Sequence, residues 1–306
     1  MKINNSINFM RAVLITMMIL VHITYFGDMY PGIKYGILSF MMPAFLVITG
    51  YLVNVNKSFS KFVKYILQIF VPYAIMVTGF SILSYFLPVN DRISELTVTA
   101  VMEKIFITSI GPYWFLQTIM VCGIIYYAVF RLMQKFSTMS KLAVTALLLM
   151  CAGMFTPVVT FKSTAFYFIG LCIRAGNTDI NGIFRPSALS VLPFAFIVAQ
   201  PDLWDWGLIT VLAMIYFFLS FLAFAEKYVS HRWITYIGMN TLPIYLFHPV
   251  FTMAAKFYAP LFAFDETRIL HAVVTVALAL AGSLFIARIL DKTRQSKLFY
   301  KNPMLR

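Results

Sequence analysis

Apolar runs long enough to cross a lipid bilayer fill this chain almost from end to end. A bilayer-spanning helix needs about 20 mostly apolar residues. Ten such runs can be marked: Ile7–Phe26, Ile33–Val55, Phe62–Leu87, Tyr113–Met133, Leu142–Thr156, Ser163–Ala175, Phe184–Ala199, Trp206–Ala225, Trp233–Ala255 and Arg268–Leu290. The fifth, sixth and seventh runs are short or weakly bounded, so nine or eleven spans also fit. The sequence predicts an all-α polytopic membrane protein with about ten transmembrane helices, and residues 1–306 are expected to form a single domain.

Composition and charge support a lipid-embedded chain. Hydrophobic residues make up 61% and charged residues 11% of the sequence, whereas soluble proteins have about 45–50% and 25%. The net charge of +13 does not indicate nucleic-acid binding, because the basic residues lie in short loops between apolar runs. With the N-terminus inside, eighteen of the 24 Lys and Arg residues fall on the cytoplasmic side and six outside. This asymmetry predicts that both termini are cytoplasmic.

Two departures from straight spans are expected. Pro243 and Pro249 should kink or interrupt the ninth run, because proline has no backbone N–H and its ring clashes with the preceding turn. The mixed polar and apolar segment Pro88–Pro112 is expected to form a short amphipathic helix on the outer side.

The first apolar run contains two costly polar residues, Arg11 and His22. Such side chains inside a span usually face a protein interior or a watery cavity. They are eleven positions apart, and at about 100° per residue this is close to three turns, so both emerge on one face, about 16 Å apart along the axis. The alternatives are that Arg11 snorkels to lipid headgroups and that His22 packs between helices.

Coenzyme A offers a reason for this spacing, because it is a long chain with phosphates at one end and a thioester at the other. An arginine presents a permanently charged fork of donors that suits phosphate. A histidine exchanges a proton near neutral pH and therefore suits the reacting end. Arg11 and His22 could thus hold the two ends of one donor molecule.

The Arg11–His22 spacing resembles the first-helix signature of the membrane-bound acyltransferase 3 family, in which Arg or Lys precedes His by eleven positions. Four later segments resemble the family in the same order, including sugar O-acetylase-like members: Phe40–Leu52, Lys61–Lys64 with the following Pro72 and Tyr73, Pro112–Leu116, and Gly238–Pro249. Lys61 and Lys64 stand where the family usually has arginines, which keeps the charge but loses bidentate geometry.

The resemblance implies transfer of an acyl group, usually acetyl, from cytoplasmic acetyl-CoA or another acyl-CoA to a hydroxyl of a cell-surface or lipid-linked glycan. His22 would be the catalytic residue, either as general base or as the group that takes the acyl itself; both roles stay open. Arg11 would hold the donor, with Lys61 and Lys64 at its phosphates. The expected location is the bacterial inner membrane, and a glycan-synthesis complex is a candidate partner.

Five further polar or aromatic residues are candidates for binding the acceptor substrate. Asn240, Tyr245 and His248 lie in the ninth run and could form a second wall of the cavity, although hydrogen bonds between helices explain them equally well. Trp114 and Gln117 begin the fourth run, where an aromatic belt is the alternative for the tryptophan. No metal-ligand spacing, nucleophile elbow or phosphate-binding loop is present in the sequence, so no metal is expected.

Two other functions fit the same residues less well. A transporter or flippase for a lipid-linked or anionic solute would use Arg11, His22 and His248 to line its path, but transporters often carry internal repeats, which this sequence lacks. A membrane scaffold of a glycan-synthesis complex would not need Arg or His within a span.

Overall fold

The computed structural model describes residues 5–86, 92–204, 207–229, 231–300 and 303–306. The described residues form α-helices and no strand. The helices are α1 (Asn5–Val21), α2 (Thr24–Met29), α3 (Pro31–Leu52), α4 (Phe59–Phe86), α5 (Val98–Glu103), α6 (Trp114–Leu132), α7 (Thr138–Phe155), α8 (Phe161–Ala175), α9 (Ile180–Ile183), α10 (Val191–Val198), α11 (Leu208–Val229), α12 (Arg232–Met239), α13 (Thr241–Tyr258) and α14 (Ile269–Lys292). Shorter turns are a π-helix at Lys104–Thr108 and 3-10 segments at Gly111–Tyr113, Ala188–Ser190, Pro201–Leu203, Ala259–Phe262 and Gln295–Lys297.

The prediction of an all-α membrane protein is confirmed. Six helices of the described part are long and apolar enough to cross a membrane: Pro31–Leu52, Phe59–Phe86, Gly111–Leu132, Thr138–Phe155, Leu208–Val229 and Ile269–Lys292. The count of ten spans and the cytoplasmic termini stay predictions. Leu87 and Trp206, which bound two predicted runs, and the first residues of the Pro88–Pro112 segment lie outside the described residues. The rest of that segment contains α5, where the Thr97 hydroxyl accepts a hydrogen bond from the Ala100 N–H.

The chain divides into two compact units. The first contains Met1–Phe45, Asp179–Ser296 and Asn302–Arg306, and the second contains Leu46–Thr178 and Lys297–Lys301. Arg11, His22, Asn240, Tyr245 and His248 belong to the first unit. Lys61, Lys64, Trp114 and Gln117 belong to the second.

In the first unit, α1 and α12 touch backbone to backbone. A methyl group added at Gly238 would lie 1.9 Å from the carbonyl oxygen of Asn8 and 2.8 Å from its α-carbon. Only glycine leaves room for this approach, because every other side chain begins with the carbon that would collide. This contact fixes α12 against the first turn of α1, on the same helix that carries Arg11.

The ninth apolar run is not one helix. It is divided into α12 and α13 at Asn240, whose backbone (φ −109°, ψ 29°) departs from helical geometry. The break therefore comes before the first proline and not at it. Pro243 is the third residue of α13, where a backbone N–H would have no intrahelical partner, and Pro249 lies within a helix that continues to Tyr258.

In the second unit, α8 packs closely against the end of α3. A methyl group added at Gly50 would lie 2.2 Å from the carbonyl oxygen of Tyr167, and one at Gly170 would lie 2.1 Å from that of Val47. Near the start of α4, the rings of Phe62 and Tyr127 are stacked with centroids 3.7 Å apart. These contacts hold the helices that carry the second-unit candidates.

We predict that Gly238→Ala destabilises the protein by about 1–3 kcal/mol, the usual cost of overpacking, because the new methyl group meets backbone atoms that cannot rotate away. Gly79→Ala is the matched control: it lies within α4 with nothing within 4 Å of the added carbon, so it should be neutral or slightly stabilising. Thermal unfolding of both variants in detergent checks this. Equal melting temperatures would contradict the close contact of α1 with α12.

Candidate active site

His22 lies where the first apolar run breaks. α1 ends at Val21, Ile23 is extended (φ −81°, ψ 107°), and α2 begins at Thr24. The predicted span Ile7–Phe26 is therefore two helices, with His22 at the junction. Its backbone N–H donates to the carbonyl of Ile19 (3.1 Å), and the carbonyl of Met18, which a continuing helix would have satisfied with that N–H, is 2.6 Å from the ring nitrogen Nδ1 of His22.

This hydrogen bond decides which nitrogen of the neutral His22 ring is the base. A carbonyl oxygen only accepts hydrogen bonds, so Nδ1 carries the proton that it donates to Met18. Nε2 then holds the unshared electron pair. The His22 residue is exposed. Nε2 is thus the ring nitrogen that can act as a general base or nucleophile, and the hydrogen bond from Nδ1 to Met18 fixes the orientation of the ring.

A second histidine lies against the first. The ring centroids of His22 and His248 are 5.4 Å apart, with the planes at 72°. His248 is fully buried (0% exposed), and its Nδ1 donates to the carbonyl of Tyr245 at 2.8 Å. Its Nε2 is buried and has no hydrogen-bond partner in the part of the chain that the structure describes. Both rings therefore share one tautomer, with Nδ1 protonated and Nε2 as acceptor. Tyr245 packs on His248 with ring centroids 5.9 Å apart.

Arg11 reaches the same helix as His22 does. Its Nη2 donates to the hydroxyl of Thr241, the first residue of α13. Thr241 and His248 are two turns apart on α13, and each contacts one of the two polar residues of the first run. Arg11 and His22 therefore project toward one face of α13, as the eleven-residue spacing predicts. α1 and α13 run in the same direction, with the arginine near the start of both.

Asn240 makes hydrogen bonds with backbone groups. Both amide hydrogens are donated, to the carbonyl of Tyr236 (2.9 Å) and to that of Arg306 (3.3 Å). The amide oxygen accepts from the Arg306 N–H at 2.7 Å. The side chain is 1% exposed. Sequence reasoning missed Arg306 as a neighbour of this break, because no motif spacing connects residues 66 positions apart.

The remaining candidates lie in the second unit. Lys61 and Lys64 are exposed and three residues apart near the start of α4, so both charges can lie on one side of the helix. Trp114 is half-buried at the first position of α6. Gln117 is only 4% exposed, and its Nε2 donates to the carbonyl of Ile107 at 3.1 Å.

A cluster of aromatic rings that the sequence analysis did not predict begins three residues after His22. Tyr25 lies three residues after the histidine, is 39% exposed, and has its ring 5.9 Å from that of His271 and 5.9 Å from the guanidinium of Arg268. His271 is 1% exposed and its Nε2 donates to the carbonyl of Ala255. The signal in the sequence was the tyrosine close behind the histidine.

The loop before α14 holds this cluster in place. Asp265 accepts hydrogen bonds from the hydroxyl and N–H of Thr267 and from the N–H of Leu270. These bonds, with that from the Thr267 hydroxyl first, lower the pKa of the Asp265 carboxyl below its usual value. The carboxylate therefore caps the first turn of α14, from which His271 projects.

The long apolar helices place the chain among multi-pass membrane proteins. A family model described as an acyltransferase domain, Acyl_transf_3, matches residues 4–288 of the 306. The protein belongs to this acyltransferase family, which confirms the resemblance of its motifs. No curated protein and no solved structure matches the chain.

We predict that, in their neutral forms, His22 and His248 are protonated on Nδ1, whereas His271 is protonated on Nε2. The reason is that each of these nitrogens faces a carbonyl oxygen, which can only accept. Nitrogen-15 NMR of the protein labelled at histidine measures this, with single His→Gln variants assigning the signals. A proton on Nε2 of His22 would contradict the geometry, because the base would then point at Met18.

Proposed function

We propose that the protein is a membrane-bound O-acyltransferase that moves an acetyl group from cytoplasmic acetyl-CoA to a hydroxyl of a cell-surface or lipid-linked glycan. Membership of the acyltransferase family supports group transfer in general. The observation that carries the proposal is the His22 ring, held by Met18 on one nitrogen with the other left as acceptor. A ring fixed in this way suits proton exchange with a hydroxyl or attack on a thioester.

Whether His22 acts as general base or as nucleophile, the reaction uses the unshared electron pair of its Nε2. As general base, it takes the proton of the acceptor hydroxyl while the hydroxyl oxygen attacks the thioester carbon. The carbon–sulfur bond breaks, an ester bond forms, and the thiolate takes up the proton. As nucleophile, Nε2 bonds to the acyl carbon while the carbon–sulfur bond breaks and coenzyme A leaves as the thiolate. The hydroxyl oxygen then attacks the acyl carbon, the carbon–nitrogen bond breaks, and the hydroxyl proton passes to the thiolate. His248 packs on the ring and orients it.

Arg11 is the proposed donor-binding residue. It lies about 16 Å from His22 along the axis, from a rise of about 1.5 Å per residue, and it contacts the first residue of α13, seven positions before His248. A guanidinium suits phosphate oxygens because it donates paired hydrogen bonds with full charge. We assign a supporting role at the donor phosphates to Lys61 and Lys64, whose side chains are exposed. A lysine carries its charge on an ammonium group and lacks the planar fork of donors of arginine, so these two residues would make less directional contacts with phosphate.

We assign acceptor binding to Trp114, Gln117, Asn240, Tyr245 and His248. Tyr245 and His248 are the best supported, because His248 packs against His22 and Tyr245 packs against His248. Gln117 and Asn240 already donate to backbone carbonyls. Each would therefore contact an acceptor through a hydrogen-bonding position of the amide that these bonds leave open.

The proposed topology has ten spans, with the residues before α1 and after α14 in the cytoplasm of a bacterium and the protein in its inner membrane. The parallel course of α1 and α13 fits the alternation of the first and ninth spans, and the cytoplasmic side rests on the excess of Lys and Arg. The donor then enters at Arg11 on the cytoplasmic side, and the acceptor hydroxyl meets His22 toward the outer side.

We predict that His22→Ala lowers transfer of radiolabelled acetyl from acetyl-CoA to a glycan extract by about 10²–10⁴-fold, the usual contribution of a positioned general base. His231→Ala is the matched control: this histidine precedes α12 and is exposed, so its loss should leave the rate unchanged. Transfer that continues in His22→Ala would overturn the assignment. Movement of a glycan substrate across vesicles without acylation would favour the transporter.

We predict that Arg11→Ala raises the Kd for coenzyme A by about tenfold or more, since one charge-assisted contact to phosphate is lost, while His22→Ala leaves coenzyme A binding nearly intact. Isothermal titration of each purified variant with coenzyme A measures the difference. Arg11→Lys should lie between the wild type and Arg11→Ala. If His22→Ala weakens binding more than Arg11→Ala does, the division of roles between the two residues is reversed.

A further inference from the structure

The segment 303–306 is anchored to the rest of the first unit by side-chain hydrogen bonds. One carboxylate oxygen of Asp291, near the end of α14, accepts from the N–H of Met304 at 2.7 Å, and the other accepts from that of Leu305 at 3.0 Å. The Met304 side chain is 1% exposed. The Asn240 amide donates a hydrogen bond to the backbone oxygen of Arg306 and accepts one from its N–H. Three consecutive residues are thus fixed by two buried or half-buried side chains.

This anchoring brings the backbone of a second basic residue to the helix break. Asn240 binds Arg306, and the next residue, Thr241, accepts from Arg11. Consecutive α-carbons are about 3.8 Å apart, so the backbone of Arg306 and the guanidinium of Arg11 are held by neighbouring residues. The Arg306 residue is exposed. Its backbone is fixed at the helix break, and the residue is accessible to solvent.

We propose that Arg306 is a second phosphate-binding arginine of the donor site, and that Asn240 and Asp291 are positioning residues that deliver it beside Arg11. This rests on the proposed function, in which Arg11 binds the phosphates of the donor. Coenzyme A carries a diphosphate and a separate phosphate on its ribose, more negative charge than one guanidinium can pair. Two arginines anchored to one break in a helix match that charge with two forks of donors.

The carboxylate of Asp291 is engaged with the backbone of the segment. Both carboxylate oxygens accept backbone N–H groups of the segment. Because the Arg306 residue is exposed, its guanidinium is accessible to an anionic ligand.

The test compares coenzyme A with pantetheine, which lacks the phosphates, as ligands of the full-length protein in detergent. Arg306→Ala should weaken coenzyme A binding by about tenfold, the loss of one charge-assisted contact, and leave pantetheine binding unchanged. Arg306→Lys should recover part of the affinity. Asn240→Ala should reproduce the loss by releasing the segment.

Arg294→Ala is the matched control, because Arg294 is also basic, exposed and beyond the end of α14. It should keep wild-type affinity for both ligands. Wild-type affinity in Arg306→Ala, or an equal loss in Arg294→Ala, would overturn the role of Arg306 and leave the acyltransferase proposal standing. If the wild-type protein binds no coenzyme A, both proposals fail. Melting temperatures show that each variant is folded, and Arg306→Ala should match the wild type because the anchoring bonds come from its backbone.

Discussion

The contact of Gly238 with the carbonyl of Asn8 brings the backbones of α1 and α12 together, and the geometry of the first unit follows from it. With α12 fixed against the start of α1, the break at Asn240 turns α13 so that it runs beside α1. Arg11 then reaches the first residue of α13, and the end of α1 meets its middle. A larger residue at position 238 would separate the two helices that bring these groups together.

Two breaks in apolar helices give the site its polar chemistry. In lipid, a backbone group without a partner is costly, so helices are interrupted only where something else satisfies the freed groups. At the end of α1 the substitute is the ring of His22, which takes the Met18 carbonyl. At the start of α13 it is Asn240, which donates a hydrogen bond to the carbonyl of Tyr236 and accepts one from the N–H of Arg306. The side chains that repair the backbone are thereby locked in one orientation, and a fixed orientation is what a reacting group requires.

Much of this was readable in the sequence, because lipid imposes simple rules. Runs of apolar residues predicted an all-helical membrane protein, and the eleven-residue spacing placed Arg11 and His22 on one face. Proline suggested a break in the ninth run, but the break falls at Asn240, since the first turn of a helix tolerates proline. His248 was expected to form a second wall of the cavity, but its ring contact with His22 and the hydrogen bonds of Asn240 with Arg306 could not be predicted. Both depend on which helices meet in space, and periodicity along one helix carries no such information.

The central claim is that one donor molecule extends along α1, with its phosphates at Arg11 and its thioester at His22. A cryo-electron-microscopy structure of the protein with coenzyme A bound tests this most directly. The account predicts the phosphates within hydrogen-bond distance of the Arg11 guanidinium and the sulfur pointing toward Nε2 of His22. Coenzyme A bound elsewhere, or in the opposite orientation with its sulfur at Arg11, would contradict it.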